Sequence, residues 1–179
     1  MEELDQGRSQ DIGRRVETIR RAEFEDMPKL LYLLKEMAAE SMGEFKIENT
    51  VEQLQVDGCY ENPSFESWIA WEDSVPVGFY LVTFLYSAVL GKRTQYLEDL
   101  YVLSAYRSKG YGTLLFKRMC YQALRQGIHV AWEIDREDFK LRHACLHAGG
   151  RDRPHKIGYY LDLEGLRYVI NHRGGVFKD

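Results

Sequence analysis

The sequence predicts an α+β fold, a mixed and mostly antiparallel central sheet flanked by helices on both faces. Two observations predict it. Residues 67–72 (SWIAWE), 75–87 (VPVGFYLVTFLYS) and 94–104 (TQYLEDLYVLS) are rich in Val, Tyr, Phe, Trp and Leu. Short turns at Asp73-Ser74 and Gly91-Lys92 separate them, so they read as an antiparallel meander. On either side the apolar residues switch to helical spacing, and helices alternate with further strands in the order β-α-α-β-β-β-α-β-α-β.

Taken in order, residues 16–21 form a short first strand. A helix follows with Asp26 as N-cap and Pro28 in its first turn, where the missing proline N–H would have no partner anyway. Met27, Leu30, Leu31, Leu34, Met37 and Ala38 make one apolar stripe, and Gly43 ends the helix. Residues 49–63 hold a second short helix closed by the Asp57-Gly58 and Asn62-Pro63 turn signals. After the meander, residues 114–124 form a helix with Leu115, Met119 and Ala123 on one side and Gly127 at its end. Residues 129–135 (HVAWEID) return to strand, residues 138–150 hold a short helix stopped by Gly149-Gly150, and residues 158–170 hold a last strand. Residues 1–14 read as a flexible tail, leaving 15–179 as a single domain.

Bulk properties exclude several classes of function. Hydrophobic residues make up 45% of the chain and aromatics 13%, a composition that builds a core rather than a disordered segment. The formal net charge of -4 offers no global basic field for nucleic acid. Cys59, Cys120 and Cys145 are odd in number, widely spaced and without a CxxC pair. Neither a disulfide framework nor a metal site is therefore expected, and a reducing, cytoplasmic setting is. The polar N-terminus is no signal peptide. Residues 74–91 carry no charge and approach the length of a membrane span. Pro76, Gly78, Thr83 and Ser87, among strand-forming neighbours, favour a buried hairpin instead, with no membrane partner.

The chemistry concentrates in YLEDLYVLSAYRSKGYGTLLFKRMC, residues 96–120, where two acids interrupt an apolar strand and a basic, glycine-bearing turn leads into a helix. The turn Arg107-Ser108-Lys109-Gly110-Tyr111-Gly112-Thr113 lies where helix-terminal amides have no intrahelical partner. Those amides, the helix dipole and glycines that allow close backbone approach make an anion site, with Arg107 and Lys109 adding positive charge. It is neither a P-loop, whose GxxxxGK[ST] spacing is absent, nor a dinucleotide fingerprint, since Leu115 occupies the third glycine position.

Arg107-x-x-Gly110-x-Gly112 between a strand and an amphipathic helix resembles the Arg/Gln-x-x-Gly-x-Gly/Ala signature of the GNAT superfamily of N-acetyltransferases. The segments IRRAEFEDMPKLLYLLKEMA and VGFYLVTFLYSAVLGKRTQYLEDLYV, with the loop itself, resemble the diamine (spermidine/spermine or thialysine-type) acetyltransferases over roughly residues 16–135. The resemblance implies a GNAT-like sheet, acetyl-CoA as co-substrate, a small amine acceptor, direct transfer in a ternary complex and a homodimer. It implies that Leu100, Tyr101 and Val102 offer backbone groups to the pantetheine arm. It also implies that Ser108, Lys109, Gly110, Tyr111, Gly112 and Thr113 cradle the pyrophosphate, and that Glu98 and Asp99 sit where amine meets thioester. Alternatives are a peptide or protein N-acetyltransferase and a catalytically weak acetyl-CoA-binding protein.

An ammonium must lose a proton before its nitrogen can attack, and a carboxylate can attract the cation and accept that proton. Successive strand residues face opposite ways, so Glu98 and Asp99 share a cleft only if the strand bulges. Glu98 is favoured as the catalytic group, Asp99 as an ion-pair partner. The family's tyrosine acid has no counterpart in DREDFKLRHACLHAGG, where Ala144 and Cys145 fall in its place. His143, His147 and Cys145 are the candidate acids there. For the acceptor, alignment with the subfamily points to Glu40, Ser41 and Glu44, whereas Glu36 and Glu48 read as solvated helix faces.

Overall fold

The strand-forming segments build a single sheet. In the computed structural model, which describes residues 19–40, 46–89 and 91–151, the strands are β1 (Ile19–Arg21), β2 (Glu66–Glu72), β3 (Val75–Ser87), β4 (Lys92–Val102) and β5 (His129–Trp132). They lie in the order β1-β2-β3-β4-β5. Every pair is antiparallel except β4 with β5, which is parallel, so the sheet is mixed as expected. The helices are α1 (Met27–Glu40), α2 (Val51–Cys59), α3 (Tyr111–Gln126) and α4 (Phe139–His147). By compactness the chain divides into two units, Met1–Glu133 and Ile134–Asp179; the sheet and α1 to α3 belong to the first, α4 to the second. The expected tail, Gly43 and the strand at 158–170 lie outside the described residues.

Helices cover both faces of the sheet. Leu30, Leu31, Leu33 and Leu34 of α1 and Leu54 of α2 pack with Ile69, Phe79 and Tyr101 on one face. Tyr111, Leu114, Leu115 and Met119 of α3 pack with Tyr80, Val82, Leu97 and Val102 on the other. Leu30, Leu33 and Leu115 are wholly buried, each worth roughly 1.5–3 kcal/mol of transfer free energy.

Asp26 directly precedes α1, but its carboxylate bonds back to Glu23 and Arg20 rather than to an amide of α1. It ends a short 3-10 turn (Phe24–Asp26) before the helix and accepts from the Glu23 amide at 3.0 Å and from Arg20 of β1 at 2.8 Å. Burial opposes its ionisation, but those donors outweigh it and hold its carboxyl below the usual range. Thr50 caps α2, its hydroxyl accepting from the Gln53 amide at 3.1 Å. α3 begins three residues earlier than its apolar spacing suggests, because Gly110 turns the chain at φ 91° and Tyr111 already packs in the core. β4 ends at Val102 rather than at residue 104, since Ser104–Tyr106 forms a 3-10 turn. Among the described residues no helix is long and apolar enough to cross a membrane.

Candidate active site

The alternation of a regular strand would send Glu98 and Asp99 to opposite faces. β4 avoids this. Leu81 of β3 pairs with Asp99 and the next residue, Val82, pairs with Leu97, so Glu98 is an unpaired extra residue in β4. Leu97 packs in the α3-side core, and so do Leu100 and Val102, which means two residues rather than one lie between successive inward positions. Tyr101, and Leu81 opposite Asp99, pack on the α1–α2 side. The bulge therefore turns Glu98 and Asp99 toward the same face. Thr83 of β3 reinforces it by donating its hydroxyl to Glu98 Oε1 at 3.0 Å.

That face carries a cavity of about 430 Å³, within the usual size of small-ligand sites. Leu34, Ile47, Leu54, Phe65 and Leu81 form apolar wall, while Lys46, Glu48, Asn49, Ser64, Thr83 and Asp99 supply polar atoms. Asp99 is half-buried and Glu98 exposed. Burial, and then the neighbouring Glu98 charge, push the Asp99 carboxyl above the ordinary carboxylate range. Among the described residues no cation pairs with Asp99.

The far end of β4 opens onto the second half of the site. β5 pairs with β4 only from Thr94 to Leu97, whereas β3 follows β4 to Val102. Among the described residues the β5-side edge of residues 98–102 thus has no strand beside it, and its backbone polar groups are left out of the ladder. One is committed: the Val102 carbonyl accepts from Arg107 Nε at 2.9 Å. Past Val102 the chain turns with Ser108 at φ 62° and Gly110 at φ 91°, and α3 begins without a side-chain cap. A Cβ added at Gly110 would meet nothing within 4 Å, so the loop is open above its own backbone. Lys109 lies 3.6 Å from Glu72 and over the Tyr106 ring, Thr113 is exposed, and Gly112 sits in the first turn of α3.

Other expected site residues are placed differently. Glu40, the last residue of α1, accepts from the Tyr101 hydroxyl at 2.7 Å and is ion-paired with Arg107. The Arg107 and Tyr101 bonds hold its carboxyl below the usual range. Glu40 thus joins the loop side of the site and is not among the residues lining the cavity. Ser41 and Glu44 lie outside the described residues. Glu48 is on no helix; it precedes α2 and lines the cavity. His143 and His147 sit one turn apart on α4 with ring centroids 6.4 Å apart, and Cys145 lies between them in sequence. All three belong to the second unit. Thr83, Lys46 and Phe65 escaped the sequence. Thr83 alone left a signal, as a polar residue in an otherwise apolar strand opposite the acids.

Residues 29–149 match the Acetyltransferase (GNAT) family. The chain belongs to that family. It is an N-acetyltransferase. Thialysine N-epsilon-acetyltransferase of Mus musculus is 33% identical to it over 117 residues, covering 61% of this chain and 68% of that protein. Spermidine/spermine N(1)-acetyltransferase-like protein 1 of Homo sapiens is 39% identical over 114 residues, which is 59% of this chain but 16% of that longer protein. Among solved structures, an integron cassette protein from the mobile metagenome of V. cholerae superimposes with a TM-score of 0.72 at 19% identity, covering 86% of this chain and 97% of that one. At that identity the likeness extends to the fold of this GNAT N-acetyltransferase and no further.

Proposed function

We propose that this N-acetyltransferase uses acetyl-CoA to acetylate a primary amine of a small diamine- or polyamine-like acceptor, by direct attack in a ternary complex. The observation that carries it is the bulge at Glu98: Asp99 lines the cavity and Glu98, beside it, is held by Thr83 of the same wall, on the strand whose far end leads into the glycine turn. The left-handed turn at residues 108–110, open above Gly110, and the uncapped start of α3 fit a pyrophosphate. The unpaired edge of residues 98–102 fits the amide-bearing arm that joins pyrophosphate to thioester. The names of the mouse and human relatives, one for thialysine and one for spermidine and spermine, agree with a small amine acceptor.

A free alkyl amine titrates near pH 10.4, so the acceptor arrives as an ammonium. Asp99 attracts it and takes its proton, directly or through one water. The raised pKa of Asp99 brings its basicity closer to the working pH than an ordinary aspartate's. The bared nitrogen bonds to the acetyl carbonyl carbon, the carbon–sulfur bond breaks with its electron pair on sulfur, and the second proton of the nitrogen passes to that thiolate or to water, leaving a neutral amide. Glu98, held by Thr83, keeps a second negative charge beside Asp99 and favours cationic acceptors. Acetyl-CoA turnover against a panel of diamines, diamino acids, polyamines, aminoglycosides and peptides tests the proposal. Turnover confined to peptides, or none at all, would overturn it.

A further inference from the structure

Resting on the acetyl-transfer reading of the β4 edge, we propose that Trp132 closes the acyl end of that edge. Backed by Phe116, it selects acetyl-CoA over CoA thioesters with longer acyl chains. The two ends of the open edge are unlike. At Val102 it leads into the turn at residues 108–110 and the start of α3. At the other end it is shut by the last pair of the parallel ladder, Leu97 with Trp132, where β5 stops. An arm anchored at the turn and laid along residues 102 to 98, about 13 Å at roughly 3.3 Å per residue, points its thioester at Glu98 and Asp99. Next on the same line stands the Leu97–Trp132 pair.

Leu97 is buried in the α3-side core and Trp132 packs against the same core, so both side chains stand on that side of the sheet. The indole meets the Phe116 ring of α3 edge-on, with centroids 5.6 Å apart and planes at 88°. Such a contact holds the ring beyond what its buried area alone supplies. Phe116 is itself partly buried against that core, and so is Leu100 of the open edge. Leu100, Phe116 and Trp132, from three elements, thus border the opening beyond β5, with the largest of them at its closed end. An acyl chain longer than acetyl has two ways to go. Past Glu98 it meets the Leu97–Trp132 pair, where extra methylenes overpack a ring that is already held. Toward Asp99 it takes the place of the amine and strips water from two neighbouring carboxylates.

The test titrates the full chain, without acceptor, with acetyl-, propionyl- and butyryl-CoA by isothermal calorimetry. Affinity is expected to fall along that series, with butyryl-CoA bound about tenfold or more weaker than acetyl-CoA, the scale of a methylene that a filled pocket cannot take. Trp132→Val should bring the ratio of the two affinities to about one or invert it. Trp132→Phe, which keeps a ring beside Phe116, should fall between, so the trend stays readable even where valine costs stability. Equal affinities across the series in the unaltered chain, or one ratio of acetyl- to butyryl-CoA shared by the unaltered chain and both variants, would overturn this assignment while leaving acetyl transfer standing. An unaltered chain that binds no acetyl-CoA would overturn the acetyl-transfer reading and this assignment with it.

Discussion

Arg107 and Glu40, 67 residues apart in the chain, are ion-paired, and Tyr101 donates to the same carboxylate. The guanidinium has a second anchor: its Nε donates to the Val102 carbonyl at 2.9 Å. Arg107 is therefore held near the turn even without Glu40, and the Glu40 charge opposes any anion arriving there. Glu40→Gln is expected to tighten acetyl-CoA binding several-fold, whereas Arg107→Ala should weaken it about tenfold, the scale of a charge-assisted hydrogen bond. Isothermal titration of both variants reads this directly. Weaker binding in Glu40→Gln would mean that Glu40 positions Arg107 rather than competing for it.

With Asp99 as the proposed base, activity and stability would depend on the same proton. Its folded-state pKa lies above the ordinary value of 3.8, from burial first and the Glu98 charge second. Folding therefore favours the protonated form. The stability this group contributes is complete below the ordinary carboxylate range and is lost as pH rises through the raised value. A base must be ionised to work, so kcat/KM should rise with pH through that same value. Asp99→Asn is expected to be more stable than the unaltered chain at neutral pH and slower by about 10²–10⁴-fold. Glu98→Gln should move the acid limb of the pH profile to lower pH, though only in part, since burial remains. A limb that stays in place would remove the coupling between the two acids.

How much of this was legible beforehand depended on whether the cause was local. The meander, the apolar stripe of α1 and the turn at Gly110 each follow from neighbouring residues and were readable. The face of Asp99 was not, because alternation assigns one acid to each side and the bulge arises only from pairing with β3. Glu40 aligned with acceptor residues, yet its partners are Arg107 and Tyr101, contacts that no local pattern encodes. Lys46 and Glu48 sit in a segment without regular structure, where no periodicity says which way a side chain points.

Gly78 fixes how closely β3 approaches the end of β4. A Cβ there would lie 2.6 Å from the Tyr101 carbonyl oxygen and 3.2 Å from Val102 Cα, both backbone atoms that cannot rotate away. Gly78→Ala should cost about 1–3 kcal/mol in chemical denaturation, the scale of overpacking. Because the displaced residues border the open edge of β4, acetyl-CoA affinity should fall with stability. A variant that binds normally despite lower stability would separate that edge from the ligand.

The two glycines of the turn should respond in opposite ways. Gly110 has φ 91°, so Gly110→Ala forces a side chain into the left-handed region and costs about 1–2 kcal/mol whether or not any ligand binds there. Gly112 has no such constraint, and its added Cβ would meet only Val102 Cγ2, at 3.9 Å, an ordinary contact. Within the first turn of α3, alanine is the better helix former by up to about 1 kcal/mol, so Gly112→Ala should hold or raise the melting temperature. If a pyrophosphate lies against these amides, however, the same methyl group occupies its approach, and acetyl-CoA affinity should drop about tenfold or more. Calorimetry on the free chain and on the chain with acetyl-CoA reads both quantities from one sample. A Gly112→Ala protein that is as stable as the unaltered chain and binds as tightly would move the anion site away from the start of α3.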